Sequence, residues 1–124
     1  MIQLDTNYLI ELAIPGSLPA KNVDTWLTTG ETLAASSLAW TEFLNGPVTA
    51  NEIRLAEMVI GDRVLPFDKR SAQLAANLFN QAGRRRGSRF DCLIAAAAIS
   101  TDAQLATINR TDFVPFVPSG LKLI

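Results

Sequence analysis

The chain has 124 residues, 48% of them hydrophobic and 19% charged, a globular composition sized for one domain over residues 1–124 with its own core. Its net charge of −1 offers no general attraction to nucleic acid, so any such binding must come from a local basic patch. Histidine is absent and cysteine occurs once, at Cys92, which excludes the Ser-His-Asp triad, the Cys-His pair, His-based and four-cysteine zinc sites, and any intramolecular disulfide.

The first apolar segment, Ile2–Asp5, reads as a buried strand. The surrounding MIQLDTNYLIELAIPG has no basic start and carries Asp5 and Glu11 within its apolar stretch, unlike a signal peptide. A short helix over Asn7–Ala13 stops before Pro15-Gly16. Thr32–Ser36 reads as a second strand, followed by a helix over Leu38–Asn45 that ends at Gly46-Pro47 and another over Asn51–Ile60 that ends at Gly61. Arg63–Phe67 supplies a third strand.

Leu74, Ala75, Leu78, Phe79 and Ala82 form a 3.6-period stripe that predicts a helix over Ser71–Ala82, closed by Gly83. Arg84-Arg85-Arg86-Gly87-Ser88-Arg89 follows, expected as a loop, and holds four of the eleven basic residues. The next helix, Phe90–Ser100, is apolar almost all round. Its run Leu93–Ile99 is the longest in the chain and too short to cross a bilayer. Gln104–Ile108 is a fourth strand, and Phe113–Ile124 is expected to add a fifth. Strands alternating with helices predict an α/β fold: a three-layer α/β/α sandwich around a mainly parallel sheet of four or five strands.

Acid or metal chemistry in a chain without histidine falls to Asp and Glu. Ligands of open parallel sheets bind at the carboxyl ends of the strands. Asp5 ends the first strand, Glu42 lies in the helix after the second, and Asp112 lies just past the fourth. Asp91 opens the Ala-rich helix, and periodicity does not say whether it faces the same cleft. Two carboxylates about 5 Å apart repel by roughly 3 kcal/mol at an effective dielectric near 20, so a cluster of them calls for a proton or a hard cation. Mg²⁺ and Mn²⁺ prefer such oxygen donors and bridge to phosphate. Each acid also has a plainer reading. Asp5 can cap the following helix, Ser88–Asp91 and Asn109–Asp112 have capping-box spacing, and Glu42 can sit on a solvated face.

Taken together, the four acids lie in motifs that resemble those of PIN domains. Ile2-Gln-Leu-Asp5-Thr6-Asn7 resembles the family's opening strand, and Thr41-Glu42-Phe43-Leu44-Asn-Gly46 its second motif. Arg89-Phe-Asp91-Cys92 with its alanines resembles the third, and Thr107-Ile-Asn109-Arg-Thr-Asp112-Phe113 the fourth. The order matches across nearly the whole chain, and the length is similar to that of VapC-type toxins of toxin–antitoxin pairs. The resemblance implies Mg²⁺- or Mn²⁺-dependent RNA cleavage, with metal held by Asp5, Glu42, Asp91 and Asp112, and with Thr6, Asn7, Thr107 and Asn109 as supporting polar groups. It also implies a homodimer restrained by an antitoxin, whose tail places a basic side chain over the acids, while the single cysteine points to a reducing, cytoplasmic setting. Asn109 stands where some relatives carry another acid, which leaves one or two metals per site open.

Arg84, Arg85, Arg86 and Arg89 are either a solvated loop or phosphate contacts. Cys92 reads as a small buried hydrophobe, and Trp26 and Trp40 as core or interface packing. Two other functions share this scaffold. A receiver-type signalling domain needs paired acids near the first strand and a late lysine, and here only Lys122 is late. A PIN-like binding module without activity would have no use for the full acid set.

Overall fold

The computed structural model describes residues Met1–Ile124. Five strands form one sheet: β1 (Ile2–Leu4), β2 (Leu33–Ser36), β3 (Val64–Leu65), β4 (Gln104–Ala106) and β5 (Lys122–Leu123). All neighbours are parallel, in the order β3-β2-β1-β4-β5. Every residue of β1 and β2 is buried. Successive strand residues point to opposite faces, so both faces of the sheet centre are covered, as an α/β/α sandwich requires.

The order records how the chain travels. It moves outward from β1 through β2 to β3, then returns to the other side of β1 for β4. Strand order therefore reverses between β1 and β4, and a crevice opens beyond their carboxyl ends. Register aligns Leu4 with Ala106, and the Asp5 N–H donates to the Ala106 carbonyl at 3.0 Å, which carries the pairing one residue past β1.

The helices are α1 (Thr6–Glu11), α2 (Leu18–Thr28), α3 (Ser37–Asn45), α4 (Ala50–Ile60), α5 (Lys69–Gln81), α6 (Arg89–Ser100) and α7 (Arg110–Phe113). Short polar side chains start several of them. Ser36 caps α3 through the Ala39 N–H, Asp68 caps α5 through the Ser71 N–H, and Thr49 with Glu52 closes a full capping box on α4. One core joins Ile2, Leu4, Leu33 and Leu105 of the sheet to Phe43, Ile60, Leu78 and Ile94 of the helices. The alanines of α6 are buried from Ala95 to Ala98, and their small side chains let this helix pack against α5 and the sheet. Gln3, buried in the middle of β1, donates to the Ala97 carbonyl at 3.1 Å and to Thr101 Oγ1 at 2.7 Å, tying β1 to the far end of α6.

Three expectations need correction. Helix α2 is absent from the sequence reading because Pro19 and the threonines at 25, 28 and 29 obscure a stripe that buries only Pro19 and Val23. Ser17 caps it, and proline is tolerated in a first turn whose N–H groups lack helical partners. The segment Phe113–Ile124 is a strand only at Lys122–Leu123. Val114–Ser119 is a 3-10 turn, since Pro115 and Pro118 have no N–H to give a sheet. The arginine run is not wholly a loop, because Arg86–Ser88 forms a 3-10 turn and Arg89 begins α6.

Candidate metal centre

The crevice between β1 and β4 is built around Asp5, which is only 6% exposed. Its Oδ1 accepts from the Thr6 N–H at 2.8 Å. Its Oδ2 accepts from Thr107 Oγ1 at 2.7 Å and from Asn7 Nδ2 at 3.4 Å. Thr107 Oγ1 in turn accepts from the Asn109 N–H at 3.1 Å, and Asn7 Oδ1 from the Ile108 N–H at 3.2 Å. The ends of β1 and β4 are thus laced together by the side chains of Asp5, Asn7 and Thr107. Asp5 does cap α1, so its two readings are compatible.

Glu42 projects from α3 on an exposed face, and its Oε2 accepts from Thr6 Oγ1. Thr6 therefore connects two acids, with its N–H on Asp5 and its hydroxyl on Glu42. Asp91 is half-buried in the first turn of α6, and Asp112 is exposed on α7. Neither functions as a cap. Ser88 and Asn109, the residues that would complete their capping boxes, make no side-chain cap bond, and Ser88 Oγ donates to the Arg85 carbonyl at 2.8 Å instead.

Burial and like charge both act on two of the acids. Burial raises the Asp91 carboxyl to about 6, helped by the like charges of Asp112, Asp5 and Glu42, in that order. Asp5 is also raised, chiefly by burial and slightly by Glu42, against the lowering effect of its bonds from Thr107 and Thr6. A carboxylate repelled by three others is a group in want of a cation. The donors are oxygen only, which suits a hard divalent ion. No three acids close on one point as a ready-made chelate. A hard ion held there would take one or two carboxylates directly and fill its remaining positions with water and phosphate oxygen.

Asp91 and Asp112 also wall an open cleft of about 600 Å³, shared with Arg85, Ser88, Thr111 and Phe116. Asp5 and Glu42 lie beyond its lining. The arginine run is divided there. Arg85 faces the cleft, whereas the Arg89 guanidinium carbon lies 5.3 Å from the Phe79 ring centroid, over an apolar groove between α5 and α6. Ser88 and Thr111 are cleft residues that the sequence reading did not single out. Ser88 carries only capping-box spacing in the sequence, and Thr111 no signal beyond its place beside Asp112.

The remaining features have simple roles. Cys92 is buried and its thiol is pushed up, mainly by burial, which leaves it a packing residue. Trp26 stacks on Tyr8 with ring centroids 5.9 Å apart, and Trp40 packs on Phe43 at 5.3 Å. Lys122 pairs with Asp102 at 2.6 Å. Its register partner is Gln104 at the start of β4, the end of the sheet away from the acids, so it cannot play the receiver-domain lysine. No helix is long and apolar enough to cross a membrane.

A family model described as PIN domain matches residues 2–113. Comparison with curated proteins gives no match. Three solved structures share the fold over almost all of this chain. A toxin–antitoxin complex from Klebsiella pneumoniae aligns with a TM-score of 0.73 at 21% identity, covering 92% of this chain and 91% of that one. VapBC2 from Rickettsia felis, bound to a DNA fragment from its promoter, gives 0.72 at 22% identity, with 100% and 98% covered. VapBC-1 from nontypeable Haemophilus influenzae gives 0.70 at 24% identity, with 100% and 97% covered.

Proposed function

Because this chain belongs to the PIN domain family, we propose that residues 1–124 form a metal-dependent endoribonuclease acting as the toxin of a toxin–antitoxin pair. The observation that carries the proposal is the hydrogen-bonded link from Asp5 through Thr6 to Glu42 in the crevice beyond β1 and β4, with Asp91 and Asp112 together on the wall of one cleft. In this reading the four acids hold Mg²⁺ or Mn²⁺. When bound, the ion supplies the Lewis acidity and charge neutralisation that phosphodiester hydrolysis needs.

The chain's own residues do the positioning. Thr107 and the Thr6 N–H hold both oxygens of Asp5, so one ligand is fixed in advance. The Thr6 hydroxyl holds Glu42, which would otherwise sample many rotamers on an exposed helix. Asn7 and Asn109 brace the loop after β4. Arg84, Arg85 and Arg86 are the candidate phosphate contacts in a chain of net charge −1, whereas Arg89, first grouped with them, lies over Phe79 instead.

The toxin role is supported by the fold's likeness to proteins solved as toxin–antitoxin and VapBC complexes. It brings a cognate antitoxin, a homodimer and a cytoplasmic setting, the last in keeping with a single, free and buried cysteine. Purified protein should cut a structured RNA only with Mg²⁺ or Mn²⁺, and Asp5→Asn should abolish cutting. Cleavage that persists in excess chelator, or in the variant, would overturn the reading. A small antitoxin frame directly upstream of the gene would establish the biological pairing.

A further inference from the structure

We propose that Gln3 is a positioning residue for the metal centre: its buried amide fixes how far α6 slides along β1, and so the height at which Asp91 stands relative to Asp5. The inference rests on the metal-centre reading above and goes beyond it, since Gln3 hydrogen-bonds to none of the four acids. Gln3 is 1% exposed, in the middle of β1. A buried side-chain amide has two N–H groups to satisfy. Gln3 gives one to the Ala97 carbonyl at 3.1 Å and the other to Thr101 Oγ1 at 2.7 Å. Ala97 lies in the last turn of α6, where carbonyls have no helical N–H to accept from. The bond therefore satisfies a buried donor and a helix-end acceptor at once.

Levels along the sheet connect this bond to the acids. The chain turns from Ser100 into β4 at Gln104, and Gln104 is level with Ile2 in the register. Helix α6 therefore ends near the start of β1 and runs against the strand direction, its N-terminus toward the crevice. From Ala97 back to Asp91 is six residues, roughly 9 Å along a helix. From Gln3 forward to Asp5 is two residues of extended chain, roughly 7 Å. Both climbs run the same way from one hydrogen bond, so Asp91 comes out nearly level with Asp5. Asp91, Ala95 and Ala98 follow at i, i+4 and i+7 on a single helix face, and both alanines are wholly buried. Methyl side chains interlock weakly, so this face alone sets the axial position of α6 loosely. The Gln3 bonds are directional and supply the stop.

The test uses full-length, metal-free protein. Gln3→Met keeps the shape and removes both donors, and Thr101→Ala removes one acceptor from an exposed position. Ile60→Val, a core change on α4, controls for lost stability alone. Mg²⁺ is titrated calorimetrically into each. Gln3→Met should bind it about tenfold more weakly, the lower end of the loss seen when an outer support of a metal ligand is removed, and Thr101→Ala about threefold more weakly. Ile60→Val should melt lower yet bind as tightly as wild type. In a crystal structure of metal-free Gln3→Met, α6 should be displaced along its axis by more than about 0.5 Å, the tolerance within which a binding constellation has to be held. Should Gln3→Met not fold, the affinity of Thr101→Ala decides. Helix α6 at its wild-type height in Gln3→Met, or equal weakening in Ile60→Val, would overturn the positioning role. A wild type that binds no Mg²⁺ overturns the metal centre and the proposal with it. A wild type that binds Mg²⁺, beside Gln3→Met and Thr101→Ala variants that bind it equally well, overturns the proposal alone.

Discussion

Thr107 Oγ1 donates to Asp5 Oδ2 at 2.7 Å, a bond between residues 102 positions apart that joins the carboxyl ends of the two strands flanking the crevice. Asp5 is almost wholly buried, so this donor is one of few groups that can compensate its charge. Thr107→Val keeps the shape and removes the donor. It should destabilise by about 1–3 kcal/mol, the cost of an unsatisfied buried group, whereas Thr107→Ser should cost far less. Thermal unfolding by circular dichroism would decide it, and equal melting of the Val and Ser variants would show that the hydroxyl does not matter.

The raised Asp91 carboxyl predicts a pH dependence with a definite sign. Its folded value of about 6 lies above the ordinary 3.8, so between those values the folded protein holds a proton that the unfolded chain has lost. The associated stability is complete below about pH 4 and is lost as pH rises through 6. A two-unit shift is nominally about 3 kcal/mol, and solvent screening of a half-exposed group reduces this to about 1 kcal/mol. In metal-free protein, Asp91→Asn should therefore melt about 3–5 °C above wild type at pH 7 and close to it at pH 4. A helix cap would give the opposite sign at pH 7.

Magnesium should act on the same group. An ion that binds only the folded state at a hundred times its dissociation constant adds about 2.7 kcal/mol. Binding requires ionised carboxylates, so the rise in melting temperature should be larger at pH 7 than at pH 5, with proton release on binding at the lower pH. Calorimetry in two buffers of different ionisation enthalpy measures that release. An Mg²⁺ response that is the same in wild type and Asp91→Asn would remove Asp91 from the ligand set.

Thr6→Val tests positioning without touching an acid. The variant loses the hydroxyl that holds Glu42 while keeping the N–H that binds Asp5. Loss of such an outer contact typically costs 10–100-fold in metal affinity or activity, so cleavage should fall by about that factor while melting changes little. Full activity in Thr6→Val would mean that Glu42 needs no holding.

How much of this is legible in the sequence varies by residue. β1, β2 and β4 are readable because strands buried on both faces appear as short apolar runs between turn residues. Asp5 is readable as a strand end. The partnership of Thr6 with Glu42 is not, because it depends on how closely α1 and α3 approach, and periodicity carries no information about that. Asp91 is the clearest case. Its spacing from Ser88 matches a capping box, yet the serine turns away to the Arg85 carbonyl and the acid shares a cleft wall with Asp112. Only the order of motifs along the chain hints at that outcome. Gln3 goes unnoticed for a related reason, since a glutamine in an apolar strand reads as an irregularity until Ala97 and Thr101 are seen beside it.

The central place of β1 also has a consequence in time. The carboxylate that follows it is made first, and the hydroxyl that secures it comes 102 residues later. At translation rates of about 5–20 residues per second, the two are made roughly 5–20 s apart. Throughout that interval Asp5 has no Thr107 to bind, β4 and Asp91 are missing for most of it, and Asp112 is missing for all of it. A frameshift or stop anywhere before β4 therefore yields a product with half a crevice. The four acids stand in one chain only once it has been read through Asp112.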